Sequence, residues 1–335
     1  MKKIKIGLTG LGRIGKVHLE SLMFRLPEAE VLAVSDPDPA TRTIAESYGV
    51  ETFYESYEEV LAHPGIEAVV ICSPTGTHKE FIEKAAQAGK HIFCEKPLEM
   101  TVAKIQSIDE TLKKYGVKLQ VGFNRRFDAD FAAVKEQVLA GNIGEPHILR
   151  ITSRDPGPPP ISYIEGSGGL FLDMSIHDFD MARFIVGSEV KEVYAKGAVR
   201  VDEMIGIAGD VDTAIVNLFF EDGTMASIDN SRKAVYGYDQ RMEIFGSKGM
   251  SQIKNEYANT QYLYDEKGSH GPPALNFFME RYTQAYYVEM REFIRAIWED
   301  KPVPCNCHDA LQATKIAVAA KKSMLENRPV LLSEI

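Results

Sequence analysis

Long apolar runs are missing from this 335-residue chain. No stretch approaches the ~18–20 residues a membrane helix needs, so no span is expected. The N-terminus, Met1-Lys2-Lys3-Ile4-Lys5-Ile6, has basic residues but no uninterrupted apolar segment behind them, and does not read as a signal peptide. Cysteine is scarce. Four in a chain of this size make no disulfide framework, and Cys72 and Cys94 stand at the ends of two β-prone runs, where small buried thiols are usual. Blocks of Lys or Arg are also absent and the net charge is −10, which argues against a nucleic-acid or anionic-membrane partner. These absences together predict a cytoplasmic protein.

What is present suits an enzyme. Hydrophobic residues make up 44% and charged residues 26%, enough apolar material for two cores, and the length makes two domains the expectation. The most informative stretch is His91-Ile92-Phe93-Cys94-Glu95-Lys96-Pro97: apolar, β-prone residues running straight into a charged pair and a proline. It reads as a buried strand ending at a sheet edge. Pro97 keeps Lys96 out of helical geometry, and X-Pro is the common site for a cis bond. Lys96 is thereby a stiffly held cation at a strand's carboxyl end, where open α/β sheets bind ligands.

Near the start, the β-prone run 4–9 leads directly into Gly10-Leu11-Gly12-Arg13-Ile14-Gly15 and then into a helical pattern through Leu19, Leu22 and Met23. This is G-x-G-x-x-G in its required setting. Gly10 permits the tight turn, Gly12 lets a pyrophosphate approach the backbone, and Gly15 lets helix and strand pack closely. A second strand, Val31-Leu32-Ala33-Val34-Ser35-Asp36, ends in an acid about 20 residues beyond Gly15, the place of a ribose-binding carboxylate. No Arg adjoins Asp36 to receive a 2′-phosphate, so NAD is the expected cofactor in preference to NADP.

The alternation continues with a helix over 41–48, a short strand at Phe53, a central strand over 68–72 and the turn Ser73-Pro74-Thr75-Gly76-Thr77. Thr77 and Glu80 suggest a capping box, and Gly89 a helix end. A helix over 101–115 stops at Gly116, and a sixth strand covers 118–123. Six strands with intervening helices predict a doubly wound parallel sheet, a dinucleotide-binding Rossmann domain over 1–123.

Beyond Phe123 the pattern changes. A helix follows Asn124-Arg125-Arg126-Phe127, and then β-prone runs recur at 147–153, 190–199, 212–220, 224–232, 241–246, 249–253 and 260–264. Glu221-Asp222-Gly223 is a hairpin signal. One helix, about 169–186, is expected to interrupt this series, and helices near 277–299 and 308–326 to close the chain. The segment 124–335 therefore reads as an α+β domain with a large, mainly antiparallel open sheet, its closing helices able to pack back on the first domain. Asp173 and His177, four apart, would share one face of the inserted helix. An alcohol losing hydride must also lose its hydroxyl proton. A His is a suitable acceptor near neutral pH, with Asp173 to orient it and Lys96 to stabilise the developing oxyanion.

The ordered combination of G-x-G-x-x-G, Glu95-Lys96-Pro97 and Asp173-x-x-x-His177 resembles the glucose–fructose oxidoreductase/inositol dehydrogenase (Gfo/Idh/MocA) family over the whole chain. The segments 150–156 and 169–174, and Asn230-Ser231-Arg232 followed by 236–241, resemble its inositol 2-dehydrogenase branch. The resemblance implies catalytic roles for Lys96, Asp173 and His177, and substrate contacts from these three with Asn124, Arg125, Asp155 and Tyr236. On the cofactor side it implies Gly10, Gly12, Arg13, Ile14, Gly15, Asp36, Ser73, Thr75, His78, Glu95 and Lys96. It further implies NAD-dependent oxidation of a myo-inositol ring hydroxyl to the ketone, and a homotetramer.

A neutral ring bearing many hydroxyls wants directional donors and acceptors, which Asp, His, Lys, Asn and Tyr supply. Another inositol isomer, an aldose, or a non-catalytic dinucleotide sensor are the alternatives; the sensor has no need of a proton acceptor. Cys305-Asn306-Cys307-His308 lacks a second ligand pair at zinc-site spacing and lies in a Pro-marked loop, so no metal is expected. In 212–220, Ala214, Val216, Leu218 and Phe220 fill one strand face while Ile215 and Phe219 make the other apolar. A sheet with one face in water alternates more cleanly, so a second subunit is expected on that face; the other partner, a small polyol, is what the resemblance implies.

Overall fold

The computed structural model describes residues 3–335, which divide into two compact units: 3–127 with 284–314, and 128–283 with 315–335. The sequence alone places the break at 123/124, whereas the chain leaves the first unit at Phe127 and returns to it for 284–314.

In the first unit, β1 (Ile4–Thr9), β2 (Ala29–Ser35), β3 (Phe53–Tyr54), β4 (Ala68–Ile71), β5 (His91–Glu95) and β6 (Leu119–Gly122) form one parallel sheet. Its order is β3-β2-β1-β4-β5-β6, the doubly wound arrangement whose switch point lies between β1 and β4. β4 and the inner residues of β5 are buried on both faces, which is why they read as continuous apolar runs. All strands being parallel, the turns after β1, β2, β4, β5 and β6 emerge at the same sheet edge. The returning segment supplies Met290, Phe293 and Ile294 to the core beside Phe93 and Leu19. Cys305 O accepts the Val121 N–H at 3.0 Å.

Some helix ends follow local chemistry. Ser56 and Glu59 form a capping box, and Gly116 closes the 102–115 helix at φ +67. The box expected from Thr77 and Glu80 does not form. Thr77 sits in the helical region after a 3-10 turn, not in the extended backbone a capping residue needs, and its hydroxyl donates to Pro74 O at 2.8 Å.

The second unit is built on a seven-stranded sheet. Its strands are β7 (Pro146–Arg154), β8 (Val190–Ala198), β9 (Thr213–Phe220), β10 (Met225–Ser231), β11 (Asp239–Gly246) and β12 (Met250–Ile253), closed at one edge by a strand from the chain end. A separate exposed hairpin joins β13 (Leu263–Asp265) to β14 (Gly268–His270), and β15 (Val330–Leu331) is the edge strand beside β8. The order is β12-β11-β7-β10-β9-β8-β15, antiparallel throughout except for the parallel pair β7–β10. The single helix expected over 169–186 is broken. Leu170–Asp173 and Ser175–Val186 are separate helices hinged at Met174, and Ile161–Ser167 and Glu203–Ile207 add two more. Period-based reading merged the first pair because the apolar residues continue through the hinge. It missed Glu203–Ile207, a short turn started by the Asp202 side chain accepting from Met204 N–H.

Candidate active site

The glycine-rich turn of the first unit has the shape its sequence predicts. Gly10 has φ +89, and a Cβ on it would lie 2.6 Å from Cys72 O. A Cβ on Gly15 would overlap the Gly10 carbonyl oxygen, so the helix Arg13–Phe24 packs against the turn only with glycine there. Gly12 faces open space. The helix start has neither a side-chain cap nor an acid in its first turn, which leaves N–H groups beside Arg13 and Ile14 for an anion. Asp36 follows β2, and its Oδ2 accepts the Leu11 N–H at 2.7 Å while Oδ1 accepts the Asp38 N–H at 2.9 Å. The acid thus ties the glycine-rich turn after β1 to the turn after β2 and remains partly exposed for a ribose. These features fit a dinucleotide.

Behind β4, the Ser73 and Thr77 hydroxyls are 2.6 Å apart, and Thr75 lies between them in the partly exposed turn. His78 is buried, its Nδ1 3.0 Å from Pro97 O and its Nε2 2.9 Å from Ser73 O. Burial pushes its pKa down, so the neutral ring donates to one carbonyl at a time. His78 therefore ties the turn after β4 to the turn after β5. The Lys96–Pro97 bond is cis. Glu95 is buried, its Oε1 on His18 Nε2 at 2.6 Å and its Oε2 accepting the Lys96 N–H at 3.2 Å. Lys96 itself is partly exposed, and Asn124 and Arg125 are buried in the 3-10 turn after β6.

In the second unit, Asp173 ends one short helix and His177 lies in the first turn of the next; both are partly exposed. Met174 interrupts the helix between them. Asp173 is gripped from its sides: the Tyr163 hydroxyl donates to Oδ1 at 2.8 Å and Arg232 Nη1 to Oδ2 at 3.1 Å. The helix carrying His177 is pinned to β10, since Ser175 donates to Asn230 Oδ1 at 2.7 Å and Asn230 donates to buried Asp178 at 2.8 Å. Asp155 closes the end of β7, with its backbone N–H on Ser231 O and its carbonyl accepting from Ala234 N–H. Tyr236 is 49% exposed, but its hydroxyl is held by Asp239 and Arg154 at 2.6 and 3.0 Å. Burial, then the bond to Asp239, raises its pKa.

Several residues of these networks carry no role in the sequence reading. Arg232 and Tyr163 hold Asp173, while His18 and Glu289 stand behind Glu95. The available signal is weak. Glu289 is an acid on an otherwise apolar helix face with Ala285, Met290 and Phe293, and Arg232 is a buried cation directly after the half-buried strand β10.

Comparison with known proteins agrees with this architecture. Residues 4–123 match the family described as oxidoreductase family, NAD-binding Rossmann fold, and residues 131–252 match the GFO/IDH/MocA C-terminal domain. The chain is 50% identical to a myo-inositol 2-dehydrogenase of Thermotoga maritima over 99% of both chains. It is 44% identical to an inositol 2-dehydrogenase of Rhizobium meliloti over 98% of both. A structure of scyllo-inositol dehydrogenase from Lactobacillus casei with bound NAD(H) and scyllo-inositol is 35% identical, with a TM-score of 0.93 over 99% of this chain and 100% of that one. With both domains matched and relatives aligned end to end, this chain belongs to the Gfo/Idh/MocA family of NAD-dependent oxidoreductases.

Proposed function

We propose that this protein oxidises one ring hydroxyl of myo-inositol to the ketone, giving 2-keto-myo-inositol (scyllo-inosose) in inositol catabolism. The observation that carries the reading is end-to-end likeness to a myo-inositol 2-dehydrogenase at 50% identity, in a chain that holds Lys96, Asp173 and His177 in the expected motifs. A second reading, scyllo-inositol as substrate, draws on the likeness to the Lactobacillus casei enzyme.

NAD⁺, when bound, accepts the hydride. The chain's residues do the rest. The open helix start at Arg13 and Ile14 holds the pyrophosphate, with Gly12 allowing its approach, and Asp36 accepts from the adenosine ribose. Ser73, Thr75, His78 and Glu95 shape the nicotinamide side. His177 takes the hydroxyl proton, Asp173 orients its ring and stabilises the imidazolium, and the Lys96 ammonium stabilises the oxyanion as hydride leaves. Asn124, Arg125, Asp155 and Tyr236 fix the ring by its other hydroxyls. The segment 1–123 serves the dinucleotide, and 124–335 serves substrate and assembly.

Assembly as a homotetramer is part of the reading. Phe219, Met225, Phe245 and Met250 are exposed on the outer face of the second sheet, and Phe219↔Met225↔Ile148↔Phe245↔Met250 are successive cross-strand partners over five strands. So continuous an apolar row suits subunit contact. A cytoplasmic setting suits the four buried cysteine thiols, the state a reducing compartment maintains. The deciding experiment is NAD⁺ reduction across a panel of inositol isomers and aldoses at equal concentration. Highest efficiency with myo-inositol is expected; activity on aldoses and on no inositol overturns the reading.

A further inference from the structure

Three side chains meet inside the first unit beneath Lys96. His18, Glu95 and Glu289 are 0, 7 and 0% exposed, and one potential ligand atom from each lies within 4.8 Å of the others. His18 Nε2 donates to Glu95 Oε1 at 2.6 Å, and Glu95 Oε2 accepts the Lys96 N–H at 3.2 Å. Glu289 Oε1 is 4.0 Å from the same His18 nitrogen, and both Glu289 oxygens are buried without a hydrogen-bond partner. The walls are aromatic. Phe93 and Tyr286 stand edge-on to the His18 ring, with centroids at 4.9 and 5.8 Å, and Phe293 packs on Phe93.

A lone carboxylate in such surroundings does not stay charged, because nothing replaces the water it has lost. A second carboxylate close by pushes the same way, since two like charges in one apolar pocket cannot both ionise cheaply. Burial, then the Glu95 charge, holds the Glu289 carboxyl well above the usual range. His18 Nε2 faces Glu95, and its Nδ1 has no hydrogen-bond partner among the described residues. Gly122 lies opposite Glu95 on β6, where a Cβ would stand 3.0 Å from the carboxylate, so glycine there makes room for it.

We propose that His18, Glu95 and Glu289 form a buried proton-holding site, in which Glu289 carries the proton and positions Lys96 through Glu95. With Glu289 neutral, Glu95 is the only anion in the pocket and keeps the whole His18 hydrogen bond. Its second oxygen then stays on the Lys96 N–H and holds the turn that presents the ammonium. An ionised Glu289 would compete for His18 and loosen that turn. A divalent cation is the other neutralising occupant such a trio admits. The geometry disfavours it, because His18 and Glu95 already touch through a hydrogen bond. Ligands at ~2.0–2.2 Å from a shared ion would have to move apart, and the aromatic walls offer no further donor. Glu289 is thus a positioning residue, and its kinetic consequence rests on the reading of Lys96 as catalytic.

The test has three arms on the full-length protein. Infrared spectroscopy of the wild type should show the carbonyl stretch of a protonated, non-hydrogen-bonded carboxylic acid that is missing from Glu289→Gln. Glu289→Gln, neutral and of the same shape, should keep most of the turnover. Glu289→Leu, also uncharged and with no hydrogen bond to lose, should likewise keep most of the turnover, whereas Glu289→Lys, which puts a charge beside Glu95 and competes with His18 for it, should lose on the order of ten- to a hundredfold in kcat with KM for NAD nearly unchanged. Metal analysis of the purified wild type should find no stoichiometric ion. Absence of the infrared band, a large loss in the Gln or Leu variant, or one bound metal per chain overturns the proposal. Lys96→Ala separates the two readings: near-normal turnover there defeats Lys96 as a catalytic residue, while the infrared band still decides where the proton resides.

Discussion

Arg232 Nη1 donates to Asp173 Oδ2 across 3.1 Å, from a guanidinium only 1% exposed. The same guanidinium lies 3.7 Å from Asp210, whose carboxylate accepts the Leu170 N–H that starts the Asp173 helix. One cation from the end of β10 therefore sets both the position of Asp173 and the start of the helix that carries it. Removing it takes a charge partner from two partly exposed carboxylates, which keep the Tyr163 hydroxyl and the Leu170 N–H. Arg232→Ala should cost about 1–3 kcal/mol of stability, as losing a charged hydrogen-bond partner does, and lower kcat as well. Arg232→Lys should restore part of both, since it keeps the charge but not the fork. Denaturant unfolding with steady-state kinetics checks this, and an Ala variant of wild-type stability would show the pair to be idle.

Turnover should depend on His177 and Lys96 far more than affinity does. Loss of general acid–base help is worth ~10²–10⁴-fold, so His177→Ala should fall by about that factor in kcat, and Lys96→Ala by at least as much. The losses should not multiply in the double mutant if both groups serve one proton transfer. NAD titration should remain close to wild type in all three, and near-normal turnover of His177→Ala would make that residue structural.

Cofactor choice should rest on Asp36. Its charge repels a 2′-phosphate, so wild-type efficiency should be much higher with NAD than with NADP, and Asp36→Ala should narrow the ratio. The carboxylate also anchors the Leu11 and Asp38 N–H groups, so the variant should lose some affinity for both cofactors. Asp36→Asn, which keeps an acceptor, should lose less. Equal wild-type efficiency with the two cofactors would defeat the assignment.

Thiol titration should destabilise the fold at high pH. Burial pushes Cys307 up to about 12, and raises Cys72 and Cys94 well above the ordinary thiol. The folded state holds these protons after the unfolded chain has released them. Stability is therefore unaffected below the free-thiol pKa of ~8.5 and falls as pH climbs from there towards the folded values. At pH 8 the Cys307 thiolate fraction is about one in ten thousand, so native alkylation should be slow and unfolding should release it. Fast labelling of Cys307 in the native protein would contradict its burial.

The outer face of the second sheet should be covered in solution. Light scattering at working concentration is expected to give a multimeric mass, and Phe219→Asp with Phe245→Asp should shift it towards monomer. A monomeric wild type would leave the apolar row across β9 to β12 without a role.

Elements whose information is local were legible in the residues themselves. The Gly10–Gly15 turn, the buried runs of β4 and β5, the alternation of β9 and the end at Gly116 each depend on neighbours a few positions away. The identity of Lys96, Asp173 and His177 as candidates came from motif spacing. What supports those residues did not, because the partners lie far along the chain. Arg232 is 59 positions from Asp173, and Glu95 is 77 from His18. Glu289 reaches the first unit only because 284–314 returns to it. Spacing also misled where the backbone departed from one period, as at the Met174 hinge and the Thr77 turn. Periodicity reports which side of an element is buried; pairing of charges inside a core is decided by which distant segments the fold brings together.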